Sequence, residues 1–587
     1  MESSLQTAIA CLGLGLLTAC TGSISDPSGP ASNSGNTAVS TGGNVNSSTG
    51  ALGGSGPAST GSTSNATGGS PTAPGTGGGS AQPQPDAQGN LPFTPPTALA
   101  PALPARVWRL SHTEYQRSVK ALVGVAPDIS ELPSDIDSGV YSNMSGTNFV
   151  RLDVASVYHE LATTLTDALT TAQLTALIPC GSTNATCKND FIQAAVTKAF
   201  RRPALAEDTT RYAAVFDAAV PSGDAALPFR SVLRALLTSP YFLYRTEIGE
   251  PAQQANPAFQ LSNYEVASFL SYSLLGTPPS AELLASAQRG ELTQPATLAP
   301  TLTAMLEQPA AAAQLATFLF QWIKLQNFAD VTKFDAAFPG FEGVRAAMLD
   351  EARAFLAQTG MNTTLPGLLT GNVPATGALD QFYRSAPSAP AAAIHTGILE
   401  LGATLALYGK AERSSPTLRG LFVRERLLCQ HISLPPIQVP DISDTVERAN
   451  PTTTRELYEM HASDPTCRSC HQLLDPVGFT LENLDGAGRF RTQENGVAIN
   501  SSGVLLQTDV NGTYTSGAQL SEALSRSDWV RECVATQAFR FFFGQAEKAR
   551  GLPPVTAGFR ALVASGKMRD LLIALLSSPS TIERVRG

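Results

Sequence analysis

A mainly α-helical body of several domains is what the sequence predicts, on three observations. Ser-x-x-Glu spacings stand just ahead of apolar residues at helical intervals. Ala- and Leu-rich stretches then recur over most of the chain, and a single region breaks that pattern with short β-prone runs.

The first Ser-x-x-Glu is Ser111 to Glu114, within Arg109 to Tyr115, and Val119 and Leu122 continue one face with Tyr115. This is a capping box, in which each side chain satisfies an otherwise free amide of the first turn. The device recurs at Ser262 and Glu265, followed by Val266, Phe269, Leu270 and Leu274, so two helical units start here. Helical stretches run over Val154 to Leu177, Phe191 to Phe200, Leu227 to Leu237, Thr301 to Leu325, Phe341 to Phe355 and Ser521 to Phe543. The β excursion is Gly496 to Gly517, where Ser-Ser-Gly and Asn-Gly punctuate VAINSSGVLLQ and VNGTYTSG as a small hairpin would. An echo links Ala235-Leu-Leu-Thr-Ser-Pro240, ending at Arg245, with Ala574-Leu-Leu-Ser-Ser-Pro579, ending at Arg584. A shared way of stopping a helix before proline explains it more simply than two related units.

With 587 residues, 43% apolar and 15% charged, the chain has the material for several cores. A net charge of -9, with no long Lys/Arg block, argues against nucleic acid as a partner. No phosphate-cradling glycine loop, H-E-x-x-H or G-x-S-x-G is found.

The amino-terminal end reads as an export signal. The apolar run Ala8 to Leu17 is too short to span a bilayer but suits a signal peptide. Leu17-Thr18-Ala19-Cys20 resembles the bacterial lipobox, which implies cleavage before Cys20 and lipidation of its sulfur. Glu2 stands where a basic residue is usual. Thr21 follows Cys20, and the absence of Asp there favours sorting to the outer membrane. From Thr21 to about Leu103, Gly, Ser, Thr, Asn, Ala and Pro dominate. Such a segment cannot bury enough apolar surface to offset chain entropy. As a coil of about 80 residues it spans roughly 50 Å, enough to lift a globular body off a membrane.

One stretch carries specific chemistry: Cys467-Arg-Ser-Cys470-His471. Composition alone would produce a C-x-x-C-H in on the order of one per thousand such chains. Two thiols at this spacing followed at once by histidine suit covalent attachment of haem c, with His471 as the axial nitrogen. One haem is expected. For the opposite axial position the candidates are His461 and Met568, with His395 and His431 more distant; an unfilled position would permit peroxide chemistry, a filled one favours electron transfer alone. Arg489 and Arg491 are candidates for pairing with haem propionates. Asp475, in Asp-Pro-Val-Gly, reads as the cap of a following helix, and Phe479, Leu481 and Leu484 as walls of the site or of the local core. Two rival readings stay open: a zinc site from His461, Cys467, Cys470 and His471, and a Cys467 to Cys470 disulfide. Of the other cysteines, Cys180 and Cys187 suit a short bridge, which leaves Cys429 with Cys533.

Six blocks, taken in order, resemble a known family: RLSHTEY from Arg109, AFRRPALAEDTTRY from Ala199, LLTSPYFLYR from Leu236, LSNYEVASFLSYSLLG from Leu261, SPTLRGLFVRERLLC from Ser415, and DPTCRSCHQLLDPVGFTLENLDGAGRFR from Asp464. They are similar to exported multi-domain proteins of planctomycetes and myxobacteria, built from successive domains of unknown function, one with a cytochrome-like C-x-x-C-H. The expected order is a lipoprotein signal at 1–19, a disordered tether at 20–103, N-terminal helical domains at 104–250, a central helical domain at 251–390, a cytochrome c-like domain at 391–515 and a C-terminal helical domain at 516–587. The function expected is single-electron transfer by a lipid-anchored haem protein at the cell surface or in the periplasm. Its partners would be the membrane and a redox protein, with polysaccharide a further class. The alternative is a surface-displayed binding or structural lipoprotein whose motif is a disulfide or a non-redox metal site.

Overall fold

The computed structural model describes Asp86 and residues 90–97, 103–135, 141–146, 149–250, 257–387, 395–432 and 452–586. The signal, the lipidated Cys20 and most of the tether lie outside the described residues. The elements used below are, in order, β1 (Leu103–Pro104), β2 (Arg106–Arg109), α1 (His112–Val123), α2 (Leu227–Leu237), β3 (Tyr244–Glu247), β4 (Ala258–Gln260) and α3 (Asn263–Leu275). They continue with α4 (Pro416–Phe422), α5 (Thr454–His461), α6 (Pro465–Phe479), β5 (Gly503–Leu505), β6 (Gly512–Tyr514), α7 (Asp528–Phe543), α8 (Met568–Leu576) and β7 (Glu583–Val585). Helices dominate, and the strands are short and few, as expected. No helix among the described residues is long and apolar enough to cross a membrane.

Both capping boxes form: Ser111 with Glu114 opens α1, and Ser262 with Glu265 opens α3. The echoed segments turn out to be more than a common helix stop. After α2, Ser239 and Pro240 start a short turn that leads into β3; after α8, Ser578 and Pro579 do the same into β7. β3 pairs antiparallel with β2, Trp108 opposite Arg245, and Leu110 donates to the Leu243 carbonyl at 2.9 Å. β7 pairs antiparallel with β4, Phe259 opposite Arg584, and Leu261 donates to the Ile582 carbonyl at 2.8 Å. Strand register, capping box and proline turn coincide, so the two segments close two structurally equivalent loops of chain. The expectation of a mere shared stop signal is corrected: its sequence trace was short because only the closing turn and the arginine recur.

Among the described residues, beside a small cluster of Leu457, Tyr458 and Phe479, two large hydrophobic cores result. One holds Tyr115, Tyr158, Phe191, Phe229 and Leu236 of the first closed segment. The other runs from Leu103 to Ile582 and includes Trp322 and the Phe541 to Phe543 run of α7. The Cys429–Cys533 bridge joins the segment after α4 to α7, and Cys180–Cys187 closes a local loop, the two pairings expected. Part of the span expected as tether is docked: Leu91 donates to the Thr508 carbonyl, and the Phe93 ring lies 4.8 Å from that of Phe559. β5 and β6 form the expected hairpin.

The two closures meet at Glu247 on β3, a buried carboxylate. Arg106 of β2 grips it through Nε and Nη2 at 2.9 and 2.8 Å, and Arg584 of β7 through Nε at 2.7 Å. Burial pushes this carboxyl's pKa up, but Arg106 and Arg584 outweigh it and hold the pKa at about 2, against an ordinary 4.5. A depressed carboxyl contributes stability above its unfolded pKa and loses it as pH falls through the folded one. Acid titration of the folded chain should therefore show about 3 kcal/mol of stability disappearing between about pH 4.5 and 2. Glu247→Gln should remove that segment of the profile and cost about 3–5 kcal/mol in urea unfolding at pH 7, because it strands two buried guanidinium groups.

Candidate functional site

The Cys467 to His471 motif occupies the first turns of α6. Cys467, Cys470 and His471 stand at i, i+3 and i+4, the spacing that puts side chains on one helix face. Both thiols are half-buried and neither is in a disulfide. Burial raises the Cys467 pKa, and Asp464 and Cys470 add to the shift. A thioredoxin-like thiol needs the opposite shift, so the disulfide-redox reading gains nothing from this environment. Among the described residues no group of three or more His, Cys, Asp or Glu side chains is arranged to hold a metal ion.

α6 is fixed by α4, which crosses it closely enough that two glycines are required. A Cβ on Gly420 would collide with the Leu474 carbonyl, and one on Gly478 with that of Pro416. Buried arginines of α4 and the turn after it pin the motif helix from both sides. Arg419 donates to the Leu481, Leu484 and Asp485 carbonyls just beyond α6 and to the Glu482 carboxylate. Arg424 donates to the Leu473 carbonyl inside α6 and to Leu506 after β5, tying the hairpin to the helix. The hairpin thus covers the carboxyl-terminal half of α6: a Cβ on Gly503 would strike the Pro476 carbonyl.

This packing changes the expectation for Asp475. α6 runs straight through Asp475 and Pro476 to Phe479, so Asp475 does not cap a following helix. Tertiary packing overrides the proline signal here. Instead its carboxylate, one turn beyond His471, takes the imidazole Nδ1 at 2.7 Å through Oδ2. Its other oxygen accepts the Thr417 hydroxyl of α4 at 2.6 Å, and the Thr417 oxygen is 3.3 Å from the same Nδ1. A carboxylate only accepts, so Nδ1 carries the hydrogen and the lone pair lies on Nε2.

α5 brings His461 to the site. Thr453 and Glu456 cap α5, the Tyr458 hydroxyl reaches Ser415 at 3.0 Å, and Arg455 lies 3.9 Å over the Phe479 ring. The His461 and His471 rings meet edge to face, their centres 4.7 Å apart. Burial lowers the His461 pKa and His471 adds to this, against Asp475 and Asp464. Two imidazoles on opposite faces of one metal, with bonds of roughly 2 Å, need ring centres about 6 Å apart; this contact is tighter, so His461 is beside His471 and not across an ion from it.

The remaining candidates lie elsewhere. Met568 is fully buried at the start of α8, its amide on the Thr363 carbonyl, and a ligand role would require it to leave the large core. His395 is buried with Nε2 at 2.8 Å from the Gly488 carbonyl and its ring against Tyr383; burial takes its pKa down to about 4. Arg489 and Arg491, expected at propionates, are engaged by protein. Arg489 binds Asp485 and the Ala337 carbonyl, and Arg491 binds Glu482, Glu494 and Ser414. A carboxylate within hydrogen-bond reach of each guanidinium explains the difference. Thr417, Arg419 and Arg424 are site residues that sequence reading missed, and Asp475 was read there only as a cap. The i, i+4 His-Asp spacing was the one available signal.

Four family models match the chain in succession: proteins of unknown function DUF1587 at residues 108–171, DUF1595 at 187–247, DUF1592 at 261–383 and DUF1588 at 395–494. The chain is thus a succession of four domains of unknown function. Within it, the DUF1595 match ends at the strand that carries Glu247, and the DUF1588 match contains α4, α5 and α6, hence the whole site. No curated protein and no solved structure matches the chain.

Gly478→Ala should separate α4 from α6 and lower stability by about 1–3 kcal/mol, the usual cost of overpacking. Shifted urea midpoints with an unchanged slope would record it; an unchanged midpoint would contradict the tight crossing.

Proposed function

We propose that this chain is an exported, lipid-anchored c-type haem protein that passes single electrons to a partner protein at the outer membrane. Cys467 and Cys470 would hold the haem as thioethers, and His471 would bind its iron. The observation that carries the reading is the hydrogen bond from His471 to Asp475, which leaves the imidazole lone pair on Nε2 beside two thiols that lie outside any disulfide. The two bridged cysteine pairs elsewhere accord with an oxidising compartment, where c-type attachment takes place. Bound haem supplies a one-electron couple. The chain's own residues do the rest: α6 presents both sulfurs and the imidazole on one face, Asp475 keeps the proton on Nδ1, and Arg419 and Arg424 hold the helix that carries them.

A binding or structural lipoprotein is the second reading. It is favoured by the His461 ring, which covers His471 in a contact that protein packing alone accounts for. The helical domains would then bind a protein or a polysaccharide, with the motif serving structure only.

The deciding experiment expresses the full chain, signal included, in a host that matures c-type cytochromes, and records a pyridine haemochrome spectrum and a haem-stained denaturing gel. One covalent haem per chain is expected, lost in Cys467→Ala/Cys470→Ala; intact exported chain without haem would sink the proposal. Membrane fractionation checks the anchor: Cys20→Ser should move the protein to the soluble fraction, and a variant that stays with the membrane would exclude lipidation at Cys20 as the attachment.

A further inference from the structure

Asp475 goes beyond what attachment of haem requires. Two thiols and an imidazole suffice for that, and a backbone carbonyl or water would hold the ring's second nitrogen equally well. Here the partner is a buried carboxylate, 3% exposed, held by two helices at once. It accepts from His471 on one oxygen at 2.7 Å and from Thr417 on the other at 2.6 Å. The close crossing at Gly420 and Gly478 fixes this triad, because Thr417 rides on α4 while Asp475 and His471 ride on α6.

An anionic acceptor draws the Nδ1 hydrogen toward itself and makes Nε2 a more basic donor. A more basic axial nitrogen stabilises ferric iron more than ferrous and lowers the reduction potential. We infer that Asp475 is a positioning residue that makes His471 an electron-rich ligand, with Thr417 moderating it by drawing charge to the second carboxylate oxygen. The inference rests on the haem reading above and adds to it the direction of the iron's potential. It also gives Asp475 and Thr417 opposite effects on that potential, which a merely structural role would not produce.

The test uses full-length haem-loaded protein with Asp475→Asn and Thr417→Val, each followed by haemochrome assay, redox titration and the iron–histidine stretch in resonance Raman. Asp475→Asn keeps an acceptor for Nδ1 but removes its charge. It should retain covalent haem, lower the stretching frequency and raise the midpoint by about 59 mV, the equivalent of a tenfold change for one electron. Thr417→Val should shift the midpoint the other way and by less. Should Asp475→Asn fail to accumulate, the Thr417→Val midpoint decides alone. Loaded variants whose midpoints and stretches match the parent would overturn this inference while leaving the haem reading intact. A parent chain that carries no covalent haem overturns both.

Discussion

One buried carboxylate, Glu247, ties the two strand closures of the fold to one another. It sits on the strand that closes the first segment and receives one arginine from that segment's opening strand and one from the strand that closes the second. A lone buried carboxylate would be unstable and so would either arginine, but one carboxylate gripped by two guanidinium groups in matched geometry satisfies all three. The sheets involved are only two to four residues long. Their own hydrogen bonds could not set the relative position of two helical bodies, and the ion cluster supplies what the strands lack.

The same pattern, a short element locked by buried charge, builds the site around the motif helix. Arg419 reads the carbonyls that follow α6 and neutralises Glu482, which also takes Arg491. In this arrangement α6 is clamped at its carboxyl-terminal half, while the turns that carry the two thiols are the more accessible part. A helix so held can present reactive groups without being rebuilt around them.

Local signals were legible in the sequence and non-local ones were not. The two capping boxes, the hairpin and the cysteine pairs follow from residues close together or from counting, and each is found as read. The C-x-x-C-H was legible as a motif, but its surroundings were misjudged wherever a distant partner decided the outcome. Arg489 and Arg491 look free in sequence because Asp485, Glu482 and Glu494 are just as easily read as surface acids. Asp475 beside proline signals a turn by local propensity, and only the packing of α4, some fifty residues earlier, keeps the helix going and turns the side chain toward His471. The Ser-Pro echo was underweighted for the same reason, since its meaning lies in strands 137 and 325 residues from their partners (Arg245 minus Trp108, Arg584 minus Phe259).

The late position of the second closing strand has a consequence for the order in which the molecule matures. The loop that begins at Phe259 cannot be sealed until Arg584 has emerged, 113 residues after His471 (584 minus 471). Domains form as units and a chain is delivered from its amino end. A chain made from its amino end therefore completes β2, β3 and the Arg106–Glu247 pair long before Arg584 follows. Until then the first closed segment carries its buried carboxylate against one arginine alone, and the second arginine completes the cluster last.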